Sequence, residues 1–162
     1  DEMHRQARII SSWGENVYVK IPVTNTQRES SSNLIESLTN EGIKLNVTAV
    51  FTLGQILFSF IPRASMIVSV FAGRIADTGV DPMPIMRNFK EYTLQLPAEL
   101  LWASPREVLN IYQAEETGAD IITCTPDLLE KYEKSKGKNL NEFSLETVKM
   151  FYEDAKASGF KL

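Results

Sequence analysis

Apolar positions along the chain follow two alternating rhythms. Met3, Ala7 and Ile10 are spaced i, i+4, i+7, which predicts a helix that stops near Gly14. Val17-Tyr18-Val19-Lys20-Ile21 then reads as a strand closed by Pro22. Thr24 to Glu29 is a polar loop, and Leu34, Ile35 and Leu38 form a helical stripe that ends around Asn40-Glu41-Gly42. A second strand is expected at Leu45 to Val50, and an apolar helix from Leu53 to Phe60 ending before Pro62. Met66 to Phe71 is the third strand, Gly73 to Asp81 a loop, and Pro82 to Tyr92 a helix. Glu99 to Ala103 is the fourth strand, followed by a helix from Pro105 to Glu116 that ends at Gly118. Ile121 to Cys124 is a short fifth strand, and Pro126 to Tyr132 starts another helix. Lys134 to Asn139 is a basic connection, and a last helix begins at Ser144 with Val148, Phe151, Tyr152 and Ala155 on one face.

Strands and helices therefore alternate, with strands recurring every ~20–30 residues as βαβ units require. Nearly continuous apolar strands predict a parallel sheet covered on both faces. The first helix has no capping residue before it and residue 1 is Asp, so the chain reads as opening inside a larger protein or at a processed end.

Composition narrows the class. The chain has 162 residues, enough for one domain with a sizeable core, and 43% hydrophobic with 23% charged residues excludes disorder. No apolar run approaches the ~20 residues of a membrane span, and the polar start carries no signal sequence. The single cysteine, Cys124, and the single histidine, His4, leave no metal cluster and no disulfide framework. Cys124 reads as a packing residue and His4 as a solvated one. With a net charge of −4 and both signs interspersed, nucleic-acid binding is not expected. A soluble, cytoplasmic α/β protein remains.

The candidate chemistry sits near strand ends. Period-2 geometry puts Lys20 with Tyr18, Asn46 with Thr48, and Ser69 with Phe71, so three strands present polar groups on one side. Leu45, Val47 and Ala49 take the opposite side of their strand. Ligand sites of parallel α/β folds form at that end. Lys20 lies among apolar residues. Burial would favour its neutral amine, which can attack a carbonyl and form a Schiff base. The alternative is an edge-strand lysine that reaches water. Ser104-Pro105-Arg106-Glu107 reads as a capping box, with Ser104 as N-cap, and with Arg106 offers an anion site. Arg74 either bridges Asp77 or meets Arg106 to clamp a phosphate between two guanidiniums. The Lys131, Lys134, Lys136, Lys138 run is a solvated helix end.

Four stretches occur in an order that resembles the transaldolase family. They are Val17 to Thr24, Gly42 to Thr48, Val68 to Ile75 and Ala103 to Arg106. The resemblance implies a (β/α)8 TIM barrel, of which this chain supplies strands four to eight as one domain, residues 1–162. Strands one to three, which supply an aspartate and a glutamate or glutamine for proton transfer in that family, have no counterpart here. Lys20 would be the Schiff-base lysine. Asn46 would contact substrate hydroxyls and Thr48 would orient the catalytic water. Ser69 and Phe71 would line the substrate site. Arg74, Ser104 and Arg106 would bind the phosphate of a sugar-phosphate substrate.

Phe71 resembles transaldolases proper, because the fructose-6-phosphate aldolase branch has tyrosine there. Val70 stands where proline is common, and Pro105 where phenylalanine is. The implied activity is transfer of a dihydroxyacetone unit from a ketose phosphate to an aldehyde acceptor, with no cofactor. Two other readings stay open: an aldolase that releases dihydroxyacetone, and a non-catalytic sugar-phosphate-binding or assembly subunit. The last helix, with Phe151 and Tyr152, would join neighbouring subunits of a homo-oligomer or cover its own barrel.

Overall fold

The computed structural model describes residues 2–57 and 65–159. Its elements are α1 (Glu2–Ser11), β1 (Val19–Pro22), α2 (Ser32–Asn40), β2 (Leu45–Val50), α3 (Gly54–Leu57), β3 (Met66–Val70), α4 (Ala72–Asp77), α5 (Pro82–Thr93), β4 (Ala98–Trp102), α6 (Leu109–Glu116), β5 (Ile121–Ile122), α7 (Pro126–Ser135) and α8 (Leu140–Ser158). Asp1–Thr125 forms one compact unit and Pro126–Leu162 a second.

All five strands are parallel and lie side by side in chain order. A right-handed crossover between each neighbouring pair puts every connecting helix on the same side of the sheet. A doubly wound sheet would reverse its order and carry helices on both sides. The fold is therefore α/β and singly wound, consistent with the C-terminal part of a (β/α)8 barrel.

The two faces of the sheet differ accordingly. Val19, Ile21, Leu45, Val47, Val50, Met66, Val68, Val70, Leu100 and Trp102 are all buried, in one cluster with Ala7 of α1, Ile35 and Leu38 of α2, Met86 and Phe89 of α5, and Ala114 of α6. On the other face Lys20 and Glu99 are exposed, Pro22, Asn46, Thr48 and Ile67 are partly covered, and Ser69 and Leu101 are buried. The expectation of a sheet covered on both faces thus holds fully on the helix side and in part on this one. In a singly wound sheet the second face is covered only by the curl of the barrel onto itself.

Several boundaries move for identifiable reasons. Residues 73–77, expected as loop, belong to α4. Gly73 looks like a breaker in the sequence, but its role is close approach: a Cβ there would lie 1.5 Å from the Ser104 carbonyl oxygen. The capping box at Ser104 does not form. Ser104 has a left-handed φ of 59°, and α6 starts only at Leu109. Asn110, inside α6, accepts the amides of Arg106 and Glu107 on its Oδ1 at 2.7 and 3.1 Å. Those amides are therefore not free for an anion.

The second strand bulges. Its register against β3 shifts between Val47 and Val50, and Ala49 takes a φ of 59°. Ala49 is thus not simply a member of the Leu45 and Val47 row, and Val50 returns to the buried layer opposite Val70. β1 begins at Val19 rather than Val17, and β5 has two residues rather than four. α7 runs on to Ser135, into the stretch expected to be basic loop. α8 begins four residues early, because Asn139 caps it by accepting from the Asn141 and Glu142 amides. α3 begins as expected near residue 54, and its expected end at Pro62 lies outside the described residues.

Candidate active site

The polar face gathers around the junction of β1, β2 and β3. Lys20 is the register partner of Asn46, and Pro22 of Thr48, on parallel strands ~4.8 Å apart. Ser69 Oγ donates to Asn46 Oδ1 at 2.6 Å. Four expected residues, Lys20, Asn46, Thr48 and Ser69, therefore share one face. The Ser69 bond fixes the Asn46 amide by its oxygen and leaves the amide nitrogen without a partner among the described residues, ready to donate to a hydroxyl. Thr48 Oγ1 is buried and likewise without a partner among them. Buried hydroxyls are nearly always bonded, so an unsatisfied one is unusual. Lys20 is exposed between buried Val19 and Ile21, so the burial expected of it does not come from these five strands.

A second cluster forms where β2, β3 and β4 end. The Ala49 bulge resets the alternation, so Phe51 follows Val50 onto the level of Phe71, and the two rings lie 5.7 Å apart at 45°. Gln55 Oε1 holds this turn by accepting the amides of Phe51 and Thr52 at 2.8 and 2.9 Å. The Arg74 guanidinium stands 5.0 Å over the Phe71 ring. Arg106 is brought to α4 by Asp77, whose Oδ2 lies 2.8 Å from Nη2 and 3.2 Å from Nε. The bridge considered for Arg74 and Asp77 is thereby corrected: Asp77 pairs with Arg106. Gly73 N donates to the Ala103 carbonyl at 3.2 Å, which seats α4 against the Ser104 turn.

Phe51, Gln55 and Asn110 were not singled out by the sequence. Phe51 carried no signal, because a bulge is invisible in a period-2 pattern. Asn110 could have been noticed as a polar residue on the inward side of a helix. Trp102 Nε1, on the apolar side of the sheet, is the second buried polar atom without a partner among the described residues.

The remaining candidates stay ordinary. Burial pushes the Cys124 thiol up, away from a reactive thiolate. His4 Nε2 lies 2.8 Å from Glu41 Oε1. Lys134, Lys136 and Lys138 pair with Glu130, Glu133 and Glu146. Among the described residues no group of three or more His, Cys, Asp or Glu could hold a metal, and no helix is long and apolar enough to cross a membrane.

Comparison with known proteins agrees with this geometry. The family described as "Transaldolase/Fructose-6-phosphate aldolase" matches residues 1–162. "Probable transaldolase 2" of Listeria monocytogenes is 40% identical over 133 residues, covering 81% of this chain and 59% of the relative. "Probable transaldolase" of Herpetosiphon aurantiacus is 34% identical over 138 residues, covering 83% and 59%. "Probable transaldolase" of Methanococcus maripaludis is 37% identical over 133 residues, covering 80% and 59%. The match thus spans about three fifths of the length of these curated relatives. A family match over the whole chain, on a singly wound parallel sheet with its polar residues on one face, places this chain in the transaldolase/fructose-6-phosphate aldolase family.

Proposed function

We propose that this chain is the strand-four-to-eight part of a transaldolase-like barrel that transfers a dihydroxyacetone unit through a Schiff base on Lys20. The observation that carries the reading is the register pair Lys20 and Asn46, with Asn46 fixed by Ser69. A reacting amine thereby has an oriented amide beside it.

The Lys20 amine adds to the ketose phosphate carbonyl, and loss of water with uptake of one proton leaves an iminium. That cation draws the electrons of the C3–C4 bond as the C4 hydroxyl gives its proton to a base. An aldehyde leaves and an enamine stays on the lysine. The enamine carbon then attacks an acceptor aldehyde, and water hydrolyses the new iminium to free Lys20. Asn46 donates to substrate hydroxyls, and the Thr48 hydroxyl, without a partner among the described residues, orients the water that enters and leaves. Arg74, Arg106 and Ser104 hold the phosphate at the strand ends. Phe71 keeps the floor of the site apolar beside Arg74. Proton transfer needs the carboxylates that the resemblance assigns to strands one to three, so full turnover belongs to an assembly containing those strands. α8 presents Val148, Phe151 and Tyr152 exposed, which fits a homo-oligomeric contact.

Intact mass after incubation with fructose 6-phosphate and borohydride tests the reading. A sugar-dependent adduct mapped to Lys20 supports it. Binding of the sugar without an adduct, in a protein that includes all eight strands, favours the non-catalytic alternative. Release of free dihydroxyacetone as the main product favours the aldolase alternative.

A further inference from the structure

Arg106 has its donors divided by the fold. A guanidinium presents five N–H groups along two usable edges. Asp77 Oδ2 takes the edge formed by Nε and Nη2, at 3.2 and 2.8 Å. The opposite edge, formed by Nη1 and the outer hydrogen of Nη2, has no partner among the described residues. That edge can accept two oxygens of one phosphate.

We propose that Asp77 is a positioning residue: it holds Arg106 with its open edge available for a phosphate, and so selects phosphorylated over unphosphorylated ligands. This rests on the reading of Arg74 and Arg106 as the phosphate-binding pair. The ion pair is exposed on both sides, 53% and 49%, so it adds little to stability. Its effect is on the cost of ordering a long side chain when the ligand arrives. Arg74 is restrained differently, by standing 5.0 Å over the Phe71 ring.

Arg74 and Asp77 are three residues apart on α4, so one short helix carries one cation and the carboxylate that orients the other. The backbone makes this placement firm. α4 is seated on the Ser104 turn so closely that a Cβ on Gly73 would lie 1.5 Å from the Ser104 carbonyl oxygen. The negative charge of Asp77 also repels a phosphate, but at this exposure solvent weakens that repulsion, and orientation outweighs it.

Calorimetric titration of the full chain with fructose 6-phosphate, and with fructose as the unphosphorylated probe, tests the proposal. Asp77→Ala is expected to weaken fructose 6-phosphate binding about tenfold. Fructose binding and the unfolding midpoint stay as in the unaltered protein. Asp77→Asn, which keeps an acceptor oxygen, restores most of the loss. Unchanged or tighter fructose 6-phosphate binding by Asp77→Ala overturns the proposal, as does equal weakening for both sugars. Arg106→Ala separates the two levels. If it abolishes the preference for the phosphorylated sugar while Asp77→Ala changes nothing, only the role of Asp77 falls. If Arg106→Ala also changes nothing, or the unaltered chain shows no preference for the phosphorylated sugar, the phosphate-pair reading falls with it.

Discussion

The same strands have two faces that obey different rules. Toward the helices, Val47, Val68, Leu100 and Trp102 are fully buried, and each is held in place by the space its neighbours leave. Toward the other side, Lys20 is exposed, Asn46 is fixed by Ser69, and the Thr48 hydroxyl has no partner among the described residues. One face is specified by packing. The other carries the polar groups of the proposed site. The contrast teaches that residues separated by a single position in sequence can answer to stability and, in the proposed reading, to function.

Substitutions on the two faces should therefore have opposite signatures. The largest functional effect is expected from Lys20→Met, which should remove the sugar-dependent borohydride adduct completely in intact-mass spectra. Because Lys20 is exposed, its unfolding free energy should stay within about 0.5 kcal/mol of the parent. An adduct that persists, on another lysine or at the same level, would break the Schiff-base assignment.

Trp102→Ala is the mirror image. It should cost about 3–5 kcal/mol in denaturant unfolding, as removal of a fully buried aromatic does. A loss under about 1 kcal/mol would mean that the helix side is far less tightly specified than its burial indicates.

Gly73→Ala probes the junction between the two regimes. The added methyl meets the Ser104 carbonyl and must displace the turn that carries Arg106. Fructose 6-phosphate affinity is expected to fall about tenfold, equivalent to about 1.4 kcal/mol, in calorimetric titration. Ser69→Ala is subtler. Loss of the bond to Asn46 should cost about 0.5–1.5 kcal/mol in stability and slow adduct formation. Unaltered trapping kinetics would show that Asn46 needs no orientation from Ser69.

The smallest effect lies far from the site. Glu41 joins the end of α2 to α1 through Arg8 at 2.7 Å and His4 at 2.8 Å. The Arg8 hydrogen bond, opposed by some desolvation and supported by His4, lowers its carboxyl from 4.5 to about 2. Its folded value lies below its unfolded one, so the tie contributes in full above about pH 4.5 and is lost as pH falls through about 2. Acid titration should therefore release α1 from α2 in that window, and Glu41→Gln should flatten the transition when followed by amide exchange of α1.

How much was legible in the sequence follows the same division. Local pattern determined the five strands, the alternation with helices, and the sharing of one face by Lys20, Asn46, Thr48 and Ser69, because period 2 and period 3.6 are properties of the chain itself. It misread α4, the Ser104 turn and the start of α8. Gly73 and Ser104 adopt their geometry from each other, and Asn139 and Asn110 cap through bonds that no periodicity records. The exposure of Lys20, the pairing of Arg106 with Asp77 rather than Arg74 with Asp77, and the meeting of Phe51 with Phe71 were decided only in three dimensions. Each depends on strand order, on a one-residue bulge, or on contacts between segments about 20–30 residues apart, and sequence spacing alone does not specify such distances.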